Sequence, residues 1–211
     1  MNLKRYEKRT RYDIGKKNKT DNYTHLNKNY CKKGQVVLAG DSITDAYNYY
    51  ELFADFRERS GLETYNRGIS GDTSNRLLER LYDNVLSVSP CKIVYLIGTN
   101  DIACGADNDY IRDNIKKIIL KTQKHCPECE IAIQSVYPVI DHKQRHNKVI
   151  IPLNELLKSL CNEMKVTYID LYNSLCDEKG QFSQKYTYDG LHPNVNGYEV
   201  TTKAITDFLM K

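Results

Sequence analysis

The sequence predicts a single α/β domain built on a parallel sheet with helices on both faces. Two observations lead there. Short apolar, β-branched runs recur along the 211 residues, and each is followed by a segment with apolar residues at helical spacing. Strands alternating with helices require right-handed crossovers, which lay helices over both faces of a parallel sheet. The length suits one domain, and 40% hydrophobic residues is enough for its core.

The elements follow in order. Val36-Val37-Leu38-Ala39 centres a strand over 35–39, and 45–59 carries aromatic and aliphatic residues at helical spacing. A strand at 63–66 precedes a helix at 73–86 with Leu77, Leu78, Leu81 and Val85 on one face. The buried run Ile93-Val94-Tyr95-Leu96-Ile97 makes a strand of 92–97, and Ile111, Ile115, Ile118 and Ile119 mark a helix at 109–124. A strand at 130–135 leads through a long connection to a helix at 148–164, striped by Leu153, Leu156, Leu157 and Leu160. A fifth strand at 165–169 and a helix at 194–210 close the pattern. Stripes of this kind are core faces.

Residues 1–33 read as a basic N-terminal extension to a domain spanning 34–211. Eleven Lys/Arg and three Asp/Glu fall in 1–33, leaving 20 and 24 for the rest of the chain. The extension is expected to wrap the domain, with tyrosines packing and lysines solvated; docking to an acidic partner or anionic surface is the alternative. No nucleic-acid recognition motif accompanies the charge, so nucleic-acid binding is not expected. No run approaches the length of a membrane span, and no signal peptide is visible. Seven scattered cysteines suit free thiols in a reducing cytosol, hence a cytoplasmic location. Cys126 and Cys129 read as a surface turn, with a redox-sensitive thiol pair and then a metal site as the lesser readings. His142 and His146 have metal-ligand spacing, but the surrounding Lys and Arg disfavour a cation; no metal or cofactor is expected.

Four blocks carry candidate chemistry. Gly40-Asp41-Ser42-Ile43-Thr44 follows the first strand, so Ser42 sits at the sheet edge where open α/β folds bind ligands. A serine there is also a common helix cap. A serine hydroxyl needs a base to attack, and a histidine base needs a partner to fix its tautomer. Asp189-Gly190-Leu191-His192-Pro193 supplies both, with Gly190 permitting a bend and Pro193 suited to the first position of a helix. Gly71 lacks a side chain, so its N–H can approach a substrate closely. Asn100, in Gly98-Thr99-Asn100-Asp101 after the third strand, offers an amide donor of the kind used in oxyanion holes. There is no Gly-x-Ser-x-Gly elbow and no phosphate-binding loop.

With all four blocks in order, the chain resembles the SGNH (GDSL-type) hydrolase superfamily over residues 36–197. The resemblance implies a three-layer α/β/α, flavodoxin-like arrangement with a five-stranded parallel sheet. It implies Ser42 as nucleophile, His192 as general base and Asp189 as its orienting partner. The Ser42 N–H, the Gly71 N–H and the Asn100 side chain would form the oxyanion hole, while Asp41, Asp72 and Asp101 brace the loops. Ile43 departs from the Leu common in the family. The implied activity is hydrolysis of carboxylic esters, with short acyl or acetyl groups preferred, through an acyl-enzyme. Lysophospholipase or thioesterase activity is the alternative within the family, and a catalytically idle binding module the alternative outside it. The partner expected is a small-molecule acyl ester. Oligomeric state, homo-oligomer included, is left open. In the long connection after the fourth strand, Tyr137 and Pro138 are expected to line the substrate pocket.

Overall fold

The aliphatic run at 36–39 has no polar side chain to expose, and every residue of the first strand, β1 (Val36–Gly40), is buried. In the computed structural model, which describes residues 3–47, 51–140 and 142–211, β1 is joined by β2 (Thr64–Gly68), β3 (Lys92–Leu96), β4 (Glu130–Gln134) and β5 (Thr167–Ile169). All pairings are parallel, in the order β2-β1-β3-β4-β5. This is the doubly wound, flavodoxin-like order, with its topological switch between β1 and β3.

The helices are α1 (Leu3–Asn29), α2 (Ser42–Asp45), α3 (Ala54–Ser60), α4 (Ser74–Glu79), α5 (Leu81–Asn84), α6 (Thr99–Ala103), α7 (Asn108–His125), α8 (Asn147–Met164), α9 (Tyr172–Leu175) and α10 (Val195–Leu209). Side chains alternate across each strand, so two apolar clusters form. Val37, Ile93 and Tyr95 pack with Leu77, Leu81 and the stripes of α7 and α8. Val36, Leu38 and Val94 face the other way, onto Phe53, Phe56, Tyr198 and Ile205. The result is three layers, α/β/α.

Strand register positions everything functional. Gly40 lies opposite Gly68 on one side and Leu96 on the other. The chain therefore leaves β1, β2 and β3 at one common edge, into the turns that carry Ser42, Gly71 and Asn100.

Three expectations are corrected. The segment 45–59 is not one helix: α2 ends at Asp45, a 3-10 turn spans Glu51–Phe53, α3 begins at Ala54, and 48–50 lie outside the described residues. The Asn66 side chain donates to the Thr44 and Tyr47 carbonyls at 2.6 and 3.1 Å, which holds the end of α2 against β2. The helix over 73–86 is divided between α4 and α5 at Arg80, whose guanidinium turns inward. The solvated lysines of the extension are corrected at Lys16, which is buried and pairs with Asp72 at 3.2 Å.

Within residues 1–33 the chain forms α1, which docks by polar contacts rather than an apolar stripe. Tyr23 donates its hydroxyl to Gly68 O at 2.8 Å. Buried Asn27 donates to the Asp83 and Asn84 carbonyls at 3.0 Å each. Its Oδ1 accepts from Arg67 Nε and Nη2 at 3.1 and 2.7 Å. Lys19 forms an ion pair with Asp45. Arg67 is itself buried, so removing Asn27 Oδ1 leaves its Nε without a partner and its Nη2 with only Cys31 Sγ. Asn27→Ala is expected to destabilise the protein by about 2–3 kcal/mol, read as a lowered urea midpoint; a change under about 0.5 kcal/mol, normal for a free surface position, would show that α1 contributes nothing to the fold.

Candidate active site

Ser42 is the first residue of α2, and Asp41 is its cap: Asp41 Oδ1 accepts from Ile43 N at 3.0 Å. The Ser42 hydroxyl is thereby spared from capping. It lies 2.9 Å from His192 Nε2. His192 Nδ1 in turn lies 2.7 Å from Asp189 Oδ2. The other carboxylate oxygen, Asp189 Oδ1, accepts the His192 and Leu191 N–H groups at 2.7 and 2.9 Å. Partial burial opposes ionisation of Asp189, but these donors outweigh it and hold the carboxyl below its ordinary range. An ionised Asp189 accepts at Nδ1, which leaves Nε2 as the lone-pair nitrogen facing Ser42.

The turn that presents His192 is tied internally. Thr187 Oγ1 donates to His192 O at 2.6 Å and accepts from Gly190 N at 3.0 Å. The Tyr188 ring stacks on the imidazole at 5.9 Å between centroids. Pro193 is not the first helical residue: the side chain of Asn194 caps α10 by accepting from Gly197 N at 3.1 Å, which pushes the helix start to Val195.

Gly40 and Gly71 are fixed by space and by backbone respectively. A Cβ on Gly40 would stand 2.2 Å from Leu96 O and 2.4 Å from Thr44 Oγ1, so only glycine lets α2 fold back against β3. Gly71 has φ +72 at the third position of a turn closed by Asp72 N to Ile69 O at 3.1 Å, a place that favours glycine. No acceptor among the described residues takes the Ser42 or Gly71 N–H.

Asn100 donates one amide hydrogen to Asp72 O at 3.0 Å. Its Oδ1 accepts from Arg145 Nη2 at 2.8 Å. A guanidinium has no acceptor, so Arg145 dictates which end of the amide is oxygen and leaves the second Nδ2 hydrogen free. Arg145 is buried and is held by a further bond from Nε to Thr99 O at 3.1 Å. Composition and spacing did not single it out; a buried arginine at the end of a charged loop has no local signature.

The three aspartates brace the turns. Asp72 accepts from Lys16 and, at 2.7 Å, from Arg80 Nε. Arg80 Nη2 reaches the carbonyls of Gly40 and Arg67 at 3.1 and 2.9 Å, tying the ends of β1 and β2 together. Asp101 accepts from Ser74 N at 2.9 Å and Ser74 Oγ at 2.6 Å, joining the Asn100 turn to α4.

Tyr137 and Pro138 are corrected. Both are buried; Tyr137 packs in the cluster on the α10 side and donates to Gln134 Oε1 at 2.6 Å. The chain leaving β4 stays within the apolar layer through Val139, so neither residue lines an open pocket. Cys126 and Cys129 form a turn, with Cys129 N donating to Cys126 O at 3.0 Å, but Cys126 is buried rather than on the surface. Burial pushes the Cys129 thiol up to about 12 and raises Cys126 as well, so both are poor nucleophiles. Among the described residues no group of three or more His, Cys, Asp or Glu could hold a metal ion, and no helix is long and apolar enough to cross a membrane.

A hydroxyl, an imidazole and a carboxylate in series beside converging N–H donors are equipped for acyl transfer. Residues 38–200 match the GDSL-like lipase/acylhydrolase family, and the chain belongs to that family. It is 30% identical over 179 residues to N-acylneuraminate cytidylyltransferase of Escherichia coli O18:K1:H7; the match covers 82% of this chain and spans only 40% of that protein's length. It is 25% identical to platelet-activating factor acetylhydrolase IB subunit alpha1 of Rattus norvegicus, over 85% of this chain and 77% of that one. A solved structure from Streptococcus pneumonia, provisionally described as a platelet activating factor, superposes with a TM-score of 0.88 at 28% identity, covering 99% of this chain and all of that one.

Asp41 sets a pH signature. Its Oδ2 is buried without a hydrogen-bond partner. Burial is the largest influence and the Ile43 N–H only partly offsets it, so the carboxyl is pushed up to about 7. Between the unfolded value near 4 and this one, the native state holds a proton the unfolded state has lost, so stability falls as pH rises. The slope from this group is about 1.4 kcal/mol per pH unit, ending above about pH 7. Asp41→Asn, which keeps the cap oxygen, is expected to gain about 2–3 kcal/mol relative to wild type between pH 5 and 7, measured by urea unfolding; parallel curves for the two proteins would refute the assignment.

Proposed function

We propose that the protein is a serine esterase that removes short acyl groups, acetyl foremost, through an acyl-enzyme. The observation that carries this reading is the 2.9 Å approach of Ser42 Oγ to His192 Nε2, with His192 Nδ1 anchored 2.7 Å from Asp189. His192 takes the Ser42 proton as Oγ attacks the carbonyl, and the imidazolium is steadied by Asp189. The oxyanion is received by the Ser42 and Gly71 N–H groups and the free Nδ2 hydrogen of Asn100. His192 then protonates the leaving alkoxide, the acyl-enzyme forms, and water activated by the same imidazole releases the acid.

The short-acyl preference is supported from two sides. The rat relative is named for acetyl hydrolysis. Behind α2, a void of only about 10 Å³ lies among Ile43, Tyr47, Tyr137 and Ile205, roughly the space of one water, so among the described residues this void has no room for a long acyl chain.

Ser42→Ala is expected to lower p-nitrophenyl acetate hydrolysis by about a thousandfold or more, with fluorophosphonate labelling of the wild type confined to Ser42. Equal rates in the two proteins would reject the nucleophile. Asn100→Ala should reduce kcat by about 10²–10³. Arg145→Met should lower kcat more than it changes KM, and should add little in the Asn100→Ala background, because Arg145 acts through that amide. Additive losses in the double variant would show that it does not.

A further inference from the structure

An open cavity lies against Arg145, and among the described residues its charged lining is of one sign. It encloses about 480 Å³ and is bounded by Lys143, Arg145, Lys148, His142, His146 and Gln181 together with apolar and amide neighbours, with no carboxylate among the described lining residues. Arg145 is the shared wall: the guanidinium that lines the cavity also donates to Asn100 Oδ1 at 2.8 Å. His142 accepts from Arg145 Nη1, with 3.1 Å to its Nε2.

Among the described residues, the carboxylates of the two flanking turns have donors of their own. Asp177, in the turn that carries Gln181, accepts from Lys179 N and Gln181 N at 2.9 and 3.0 Å. Asp189 is committed to His192. The first turn of α8, where Lys148 sits, carries no acidic residue. No ion pair among the described residues engages Lys143 or Lys148. Asp141 lies outside the described residues. Uncompensated cations in a concavity focus a positive potential there.

The cavity also lies on a definable side of the reaction. Ile140, midway along the same connection, donates its N–H to Gly190 O at 2.9 Å, which seats the loop against the turn presenting His192. The leaving alcohol must face the imidazole that protonates it, so the cavity adjoins the alcohol side of the ester. Its volume suits a single ring or a short polyol.

We propose that this cavity is a binding subsite for an anionic group, a carboxylate or a phosphate, carried by the alcohol portion of the ester. The inference rests on the esterase reading above and narrows its substrate class. Lys143 and Lys148 hold the anion, and Arg145 closes the cavity toward the oxyanion donors.

The test compares four acetyl esters: those of 4-hydroxybenzoate, 4-hydroxyphenyl phosphate, 4-hydroxybenzamide and a 4-hydroxyphenyl trimethylammonium. Reading each variant against wild type cancels their different chemical reactivities. In the Lys143→Gln/Lys148→Gln double variant, kcat/KM for the two anionic esters should fall on the order of tenfold, since each partly solvated charge contributes about fivefold or less. The neutral ester should be unchanged within about twofold, and the cationic ester should improve. The wild-type preference for anions should shrink as salt is raised from 50 to 500 mM. The benzoate and phosphate arms distinguish the two anion chemistries. Equal effects of the double variant on all four esters would overturn the subsite. Failure of all four esters in wild type would instead defeat the esterase reading. Even then calorimetry of 4-hydroxybenzoate and inorganic phosphate binding to Ser42→Ala decides the subsite: binding lost in the lysine variants supports it, and no binding at millimolar concentrations refutes it.

Discussion

The contact on which the rest of this structure depends is the buried pair of Asp72 and Arg80. From one guanidinium, bonds run to the Asp72 carboxylate at 2.7 Å and to the carbonyls of Gly40 and Arg67, at the ends of neighbouring strands. From the same aspartate, the other carboxylate oxygen holds Lys16 of α1, and the main-chain carbonyl holds Asn100. Three turns that sheet register delivers to one edge are thereby fixed to one another. Breaking one member of a buried pair costs about 3–5 kcal/mol, so the arrangement is stiff where the chemistry needs it stiff.

Stiffness at this edge comes with local polar strain. Asp41 Oδ2 and Arg80 Nη1 are buried without hydrogen-bond partners. Such groups weaken the native state, and Asp41 stands directly before Ser42. The opposing benefit is preorganisation. The hydroxyl, the amide and the imidazole are held by neighbours before any ester arrives, so less reorganisation remains for the reaction itself. Departures from optimal local packing are expected at functional sites.

The connection after β4 links catalysis and recognition. Its first residues are buried in the apolar layer. Its middle is seated on the Gly190 carbonyl, and Arg145 near its end orients Asn100. The same few residues also form a wall of the basic cavity. In the proposed esterase reading, this loop couples the bound alcohol to the oxyanion donors, because one guanidinium both orients Asn100 and lines the cavity.

Much of this molecule was legible in the chain by itself. The five strands and the long helices α7, α8 and α10 fall where apolar periodicity placed them, within a residue or two, because long buried stripes leave few alternative partners. Ser42, Asp189 and His192 were named from the chemistry of their side chains, and the fold brings them into hydrogen-bond contact across 150 positions of sequence. Short-range patterning failed where a distant side chain decided the outcome. Asn66 holds the end of α2 against β2, Arg80 turns inward and divides the helix after β2, and Asn194 takes the cap that Pro193 suggested. The helix of residues 3–29 has no apolar stripe to announce it and is held by polar partners on other elements. Tyr137 was placed at a pocket because loops carry function, yet the layer of chain behind α2 buries it. Local composition thus determined which elements exist and which groups can react. Only tertiary contact decided where elements end and which way the Asn100 amide points, because those depend on hydrogen-bond partners far away in sequence.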